Sequence, residues 1–299
     1  MATGVLRGIV ERAWARPVPE GVARLAEAAI DAVGPSAVVA VLFYGSCYRT
    51  GEVAEGMVDL YLLVDDYASM RATRFARFAN RLVPPNVYYL QVEHAGVRLR
   101  AKYAVVAFDA FERLVAPSTR NPYFWARFAQ PTGVVRVDDA YRERLIRGFG
   151  NAIIALYTHA RALAQASAPT ETREPGNLWV NVLQATYRTE LRAEKPFRAE
   201  EIYSSDRERF DEIDRLLRRE DLPPPNGASW RLRRIEGKAL SVLRLLKAAF
   251  TFVGGADYLV WKIERHSGHA VRLSDWQRRH PILAAPPIVW RLWRARAIR

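Results

Sequence analysis

The sequence predicts an α+β fold, in which an α/β domain with a mixed sheet is followed by a mainly helical C-terminal region. Two observations carry that prediction. Short, β-rich apolar runs are confined to roughly the first 110 residues and alternate with helically spaced segments. Beyond them the pattern is helical and is broken by proline and glycine clusters. The 299 residues, half of them hydrophobic, can build a sizeable core without staples.

In chain order, residues 5–34 read as one or two helices, with Leu25, Ala28, Ile30 and Val33 on one face before Gly34-Pro35. Residues 37–44 form a buried strand that ends at glycine. A loop with Gly51 and Gly56 leads to a second buried strand, 57–64, stopped by Asp65-Asp66. Met70, Phe75, Phe78 and Leu82 predict a helix over 68–82, ended by Pro84-Pro85. Residues 86–93 and 97–108 are strands around a His94-Ala95-Gly96 turn. Helices follow at 109–130 and 139–166, then a linker at 169–176 and a helix at 178–193. Pro223-Pro224-Pro225-Asn226-Gly227 is a sharp break before a long basic helix, 230–253. Gly254-Gly255, a helix at 258–266 and a basic, Trp-bearing tail after Pro286-Pro287 complete the chain. The implied units are a first domain over 1–135, a helical middle domain over 136–225 and a basic amphipathic region over 226–299.

The formal charge is +13, and it is unevenly spread. From Arg231 to Arg299, 15 basic residues face 4 acidic ones, a balance of +11. Such a segment expects an anionic partner: nucleic acid, a nucleotide or an acidic lipid surface. Cys47 is the single cysteine, which excludes an intramolecular disulfide and any four-cysteine or Cys2His2 zinc site. It favours a reducing, cytoplasmic setting. No apolar stretch has membrane-spanning length, and the first 30 residues carry Glu11, Glu20 and Glu27, unlike a signal or transit peptide.

The chemistry sits in Tyr44-Gly45-Ser46 and in Val58-Asp59-Leu60-Tyr61. A strand runs into Gly-Ser, and a second strand carries an acid inside an apolar run, where an uncompensated carboxylate is costly. Gly45 lets backbone approach a triphosphate, Ser46 can donate to its oxygens, and Asp59 can hold Mg²⁺. The alternative is an ordinary turn beside a structural, hydrogen-bonded Asp. Nucleotidyl transfer usually employs two acids two residues apart on such a strand, and here Tyr61 stands in the second place. Asp65 shares the parity of Asp59, but six strand residues span roughly 20 Å. Asp65-Asp66 reads instead as a strand terminator.

These segments resemble the mitochondrial-type phosphatidate cytidylyltransferases, peripheral CDP-diacylglycerol synthases related to the translocator assembly and maintenance protein. Tyr44-Gly45-Ser46, Met57-Val58-Asp59-Leu60 and Val64-Asp65-Asp66 match that family's motifs in order, as do Val87-Tyr88-Tyr89 and Lys102-Tyr103-Ala104-Val105. Arg127 and the run Thr186 to Arg192 extend the resemblance to residue 195. The family shares the single acid. Cys47 and Ala104 replace family glycines, Tyr67 replaces a proline, and the 46–57 loop is shorter, as in a divergent bacterial relative. The resemblance implies a nucleotidyltransferase that moves CMP from CTP to phosphatidate with Mg²⁺, at the inner face of the cell membrane. It implies catalytic roles for Asp59 and Lys102, with Asp59 on the metal. It implies nucleotide contacts by Tyr44, Gly45, Ser46 and Arg127, and substrate-phosphate contacts by Tyr187, Glu190 and Arg192.

Other readings stand beside these. Lys102 can be an edge charge, and Tyr187 and Glu190 a surface pair on one helical segment. The helix with Arg244 and Lys247 has a wide apolar face, so it is either a core helix with a basic edge or a membrane-surface helix. Trp290 and Trp293, among arginines, give the tail an interfacial composition, or a plain basic one. His266, His269 and His280 match no metal spacing. A nucleic-acid-directed nucleotidyltransferase and an inactive membrane-associated binding protein remain as alternatives, and a homodimer is a further expectation.

Overall fold

The computed structural model describes residues 2–166, 175–191, 197–251 and Ser274. The chain opens with helices α1 (Ala2–Val5), α2 (Arg7–Trp14) and α3 (Glu20–Val33). In α3, Val22, Leu25, Ala26, Ala29 and Val33 recur at helical spacing and are all buried. Next come β1 (Val38–Tyr44), the short α4 (Ser46–Thr50), β2 (Val58–Val64), α5 (Arg74–Leu82), β3 (Asn86–His94) and β4 (Val97–Ala107). They are followed by α6 (Phe108–Val115), α7 (Trp125–Phe128), β5 (Gly133–Val137) and α8 (Asp139–Ala166). The remaining described helices are α9 (Pro175–Tyr187), α10 (Arg198–Ser205), α11 (Arg207–Leu217) and α12 (Trp230–Thr251).

The strands form one mixed sheet in the order β3-β4-β2-β1-β5. Only β2 and β4 run parallel. β1 and β2 lie inside the sheet and are buried almost throughout, which is why they read as continuous apolar runs. The fold is therefore α+β, as the sequence predicts. One hydrophobic cluster extends from Leu6 to Leu217 and joins the sheet to α8, α9 and α11. α8 is central to it, packing on α1, α2, α6, α7 and α9.

Three expected helices are shorter than their patterns suggest. The 68–82 segment is helical only as α5, because Thr73 caps it by accepting from the Ala76 N–H at 3.1 Å. Upstream, Asp66 Oδ1 accepts from the Ala68 N–H at 2.6 Å and holds a turn. Met70 is buried outside the helix, while Phe75, Phe78 and Leu82 are exposed. The 109–130 segment is divided into α6 and α7, with Pro117 and Pro122 between them. The 178–193 helix ends at Tyr187, so Glu190 sits in the turn that follows and not on the same helix. Under that turn, Gly237 of α12 lies so close to the Thr189 carbonyl that a Cβ there would collide with it. The sequence pattern predicts none of α4, β5, α10 and α11.

Candidate active site

Sheet register builds the site. Tyr44 of β1 pairs with Asp59 of β2, and Asp59 pairs with Lys102 of β4. Directly paired residues point to the same face, so the three side chains form a row across three strands. Lys102 Nζ lies 3.1 Å from Asp59 Oδ1, and both groups are partly exposed. Across the row Gly45 follows β1 with φ 86° and ψ −156°. A Cβ on Gly45 would sit 2.7 Å from Asp59 Oδ2. One carboxylate oxygen therefore meets Lys102, and the other lies against the Gly45 backbone. Ser46 begins α4, where first-turn N–H groups lack intrahelical acceptors.

These residues line a cavity of about 560 Å³ together with Arg49, Tyr123, Arg127, Gln130, Tyr187, Glu190 and Arg198, among others. The structure thus brings together Tyr44, Gly45, Ser46, Asp59, Lys102, Arg127, Tyr187 and Glu190. Arg192, Trp290, Trp293, His266, His269 and His280 lie outside the described residues. Cys47, which departs from the resembled motif, turns inward: it is buried, its Sγ lies 3.2 Å from the Met57 carbonyl, and it packs on Gly56. Asp65 is tied to the Tyr141 hydroxyl at 2.5 Å and does not line the cavity.

Arg127 is held by aromatic rings. Its guanidinium is 4.2 Å from the Tyr123 ring centre and also faces Tyr44 and Tyr61. It donates to the Tyr61 hydroxyl at 3.3 Å and approaches Glu190 at 4.0 Å. Burial opposes its charge, but Tyr123, Tyr61, Tyr44 and Glu190 hold its pKa above the ordinary value. Tyr61, which occupies the second-acid position, is fully buried against Tyr44, Phe124 and Phe128. Burial pushes its phenol up, so it is a neutral hydroxyl.

Two further cations in the cavity escaped sequence reasoning. Arg49 lies three residues after Ser46 on α4, hence on the same side. Burial and the nearby Arg198 both lower its pKa. The cavity therefore has four cationic side chains, Arg49, Lys102, Arg127 and Arg198, against the carboxylates Asp59 and Glu190. Arg49 was readable only as the polar residue one helical turn beyond Gly-Ser. Arg198 follows the resembled region and carries no motif.

Arg244 and Lys247, expected at a membrane surface, are placed differently. Arg244 Nε donates to the Pro84 carbonyl at 3.1 Å, and its guanidinium stacks 3.7 Å from the Tyr123 ring centre. Lys247 donates to the Val83 and Pro85 carbonyls. Burial, with Arg244 beside it, pushes the Lys247 ammonium down to about 7. These head groups fasten α12 to the turn between α5 and β3 and do not point to solvent. Among the described residues no helix is long and apolar enough to cross a membrane, and no group of three or more His, Cys, Asp or Glu could hold a metal ion.

No family model and no curated protein matches this chain. Among solved structures it is similar to a nucleotidyltransferase-like protein from Exiguobacterium sibiricum. The identity is 11%, the match covers 83% of this chain and 80% of that one, and the TM-score is 0.28. So distant a likeness leaves the chemistry to be read from the site itself.

Proposed function

We propose that this chain is a nucleotidyltransferase that transfers CMP from CTP to phosphatidate and releases pyrophosphate. One observation carries the reading: Gly45 and the Asp59–Lys102 pair meet at the wall of a cavity lined by four cations. A cavity of about 560 Å³ is in the size range of small-molecule sites. Its four cations against two carboxylates suit anionic ligands such as a triphosphate and a phosphomonoester. CTP and phosphatidate, among nucleotides and acceptors, come from the resemblance of the motifs.

The acceptor phosphate is already ionised near neutral pH, so no strong base is required. One of its oxygens attacks the α-phosphorus in line, the bond to the β-phosphate oxygen breaks, and pyrophosphate leaves with the electron pair. The chain's task is to align the two anions and offset their charge. Arg49, Lys102, Arg127 and Arg198 supply the positive charge that offsets the phosphates of both reactants. Asp59 orients Lys102 and is one carboxylate for a divalent ion. Among the described residues no cluster of protein ligands accompanies Asp59, so a divalent ion such as Mg²⁺ would be held by this one carboxylate and would have to enter with the nucleotide. When bound there it would neutralise charge on the triphosphate.

The test is incubation with Mg²⁺, labelled CTP and either phosphatidate vesicles or RNA. Label in lipid is expected, and Asp59→Ala should abolish it while leaving the protein folded. Label in RNA, label in neither, or undiminished turnover by Asp59→Ala would refute the assignment.

A further inference from the structure

α5 carries its large apolar residues on the outside. Ala76, Ala79 and Asn80 are its buried residues. Asn80 is fixed by donating to the Val105 carbonyl at 2.9 Å and accepting from the Asn86 N–H at 2.8 Å. These contacts set the rotation of the helix, because turning it over would strand a buried amide. Phe75, Phe78 and Leu82 are then 56%, 61% and 64% exposed on a single stripe. Arg74, Arg77 and Arg81 are interleaved with them; α5 contains no acidic residue, and among the described residues the one acid paired with these arginines is the exposed Asp66, 3.6 Å from Arg81. On α12, Leu243, Leu245 and Leu246 are also exposed. The Lys247 and Arg244 anchors hold that part of α12 at the turn that ends α5. The two apolar runs border one turn. Isolated exposed apolar side chains are ordinary, but a contiguous set marks an interaction surface.

We propose that this face, Phe75, Phe78 and Leu82 rimmed by Arg74 and Arg81, docks the protein on an anionic phospholipid surface. Charge complementarity selects the partner. Aromatic and leucine side chains enter the boundary between headgroups and acyl chains, while the flanking guanidiniums reach anionic headgroups. With about two turns of helix, the contact is reversible and adds to the general attraction of a +13 protein. Arg244 joins the docking face to the cavity, since it binds the turn after α5 and stacks on Tyr123, a cavity residue. The inference rests on the reading above only for the value of approaching lipid. The surface itself is read from α5.

The test is co-sedimentation of the full chain with vesicles of phosphatidylcholine alone or mixed with phosphatidylglycerol, which is anionic but not the proposed substrate. Binding to the mixed vesicles and not to the neutral ones is expected. Phe75→Ser/Phe78→Ser should lower the partition coefficient by roughly a hundredfold, the cost of returning two phenyl groups to water. Its CTP turnover on detergent-dispersed phosphatidate should be unchanged. If the catalytic reading fails, neither protein turns over CTP and the vesicle comparison still reads docking. Undiminished binding by the double variant, or no binding by the parent, would overturn the proposal. Phe78→Cys labelled with an environment-sensitive fluorophore provides a second measure, because Cys47 is buried. A blue shift on adding mixed vesicles is expected. Emission that is already apolar and unmoved by vesicles would mean that the chain covers its own face. A shift that follows protein concentration alone would mean a second copy covers it. Either result overturns the proposal.

Discussion

Gly45→Ala separates the two demands that the site places on its glycine. The first is conformational. Gly45 has φ 86° and ψ −156°, a region where a Cβ costs of order 1–3 kcal/mol. The second is spatial, because the new methyl would stand 2.7 Å from Asp59 Oδ2 and 3.4 Å from its Cγ. Ordinary contact needs several tenths of an ångström more, so the carboxylate must give way. Its other oxygen is the partner of Lys102 at 3.1 Å, and the displacement falls on that pair. A misplacement of about 1 Å can cost a hundredfold, so this smaller one is expected to lower turnover by roughly tenfold or more. Gly51→Ala is the control. Gly51 also has positive φ, 76°, yet nothing lies within 4 Å of its would-be Cβ. It should lose stability, by about 1 kcal/mol, with turnover intact. The assay is urea denaturation of both variants beside CMP transfer under saturating CTP. If Gly45→Ala keeps parental turnover, or Gly51→Ala loses as much as Gly45→Ala, the close approach of Gly45 to Asp59 is not what the chemistry requires.

Arg49→Gln should weaken CTP binding by roughly tenfold to a hundredfold, the loss of charge-assisted hydrogen bonds, and calorimetric titration would check it. Tyr61→Asp, which supplies the usual second acid, should give no gain in activity and should cost roughly 3–5 kcal/mol in urea denaturation. It buries a carboxylate among Tyr44, Phe124 and Phe128 and leaves a void. His159 supplies a pH dependence. It is buried, stacks on Trp125, and its Nδ1 meets the Ala155 carbonyl at 2.8 Å. Burial pushes its pKa down to about 4 from 6.5. Below about pH 6.5 the unfolded chain takes up a proton that the folded chain refuses, so stability falls as pH drops from there toward 4. The contribution lost by pH 5 is roughly 2 kcal/mol. Denaturation of the parent and His159→Gln at pH 7 and 5 should show a smaller acid loss in the variant.

The parts of the site that the sequence exposed are those where one strand's composition forces a choice. β1 and β2 are buried on both faces, so they appear as apolar runs. Asp59 interrupts such a run, which marks it at once. Lys102 and Arg127 carry no comparable contrast, and only the resemblance of their motifs drew attention to them. Their partners are set by register and packing: Lys102 meets Asp59 because β2 and β4 pair in parallel. Arg49 sits on a five-residue helix too short for a periodic signal, and Arg198 reaches the cavity only through the packing of α10 on α9. α5 illustrates a different limit. Periodicity shows that Phe75, Phe78 and Leu82 share a stripe, but not which way the stripe faces. Asn80 and the small Ala76 and Ala79 decide that, through tertiary hydrogen bonds and close approach that no local pattern reveals.

Tyr61 explains how a site with one strand carboxylate holds together. On the proposed reading, a second acid at that position would add negative charge beneath a cavity that takes a triphosphate. Tyr61 instead offers a neutral hydroxyl that accepts from Arg127, while its ring packs under Tyr44. The acid's place is thereby used to aim a cation. Arg127, caged by three tyrosines, keeps its charge despite burial, and Glu190 steadies its outer edge. The cavity thus holds more fixed cations, which suit phosphate, than carboxylates, which suit metal. A guanidinium held by rings cannot dissociate as an ion can. It also could not follow phosphates as they move, so on the proposed reading any mobile charge compensation would enter with the nucleotide. On that reading the single acid and the arginine-lined wall act together: one strand carboxylate would suffice for transfer because Arg49, Lys102, Arg127 and Arg198 line the same cavity and would offset the charge of the phosphates.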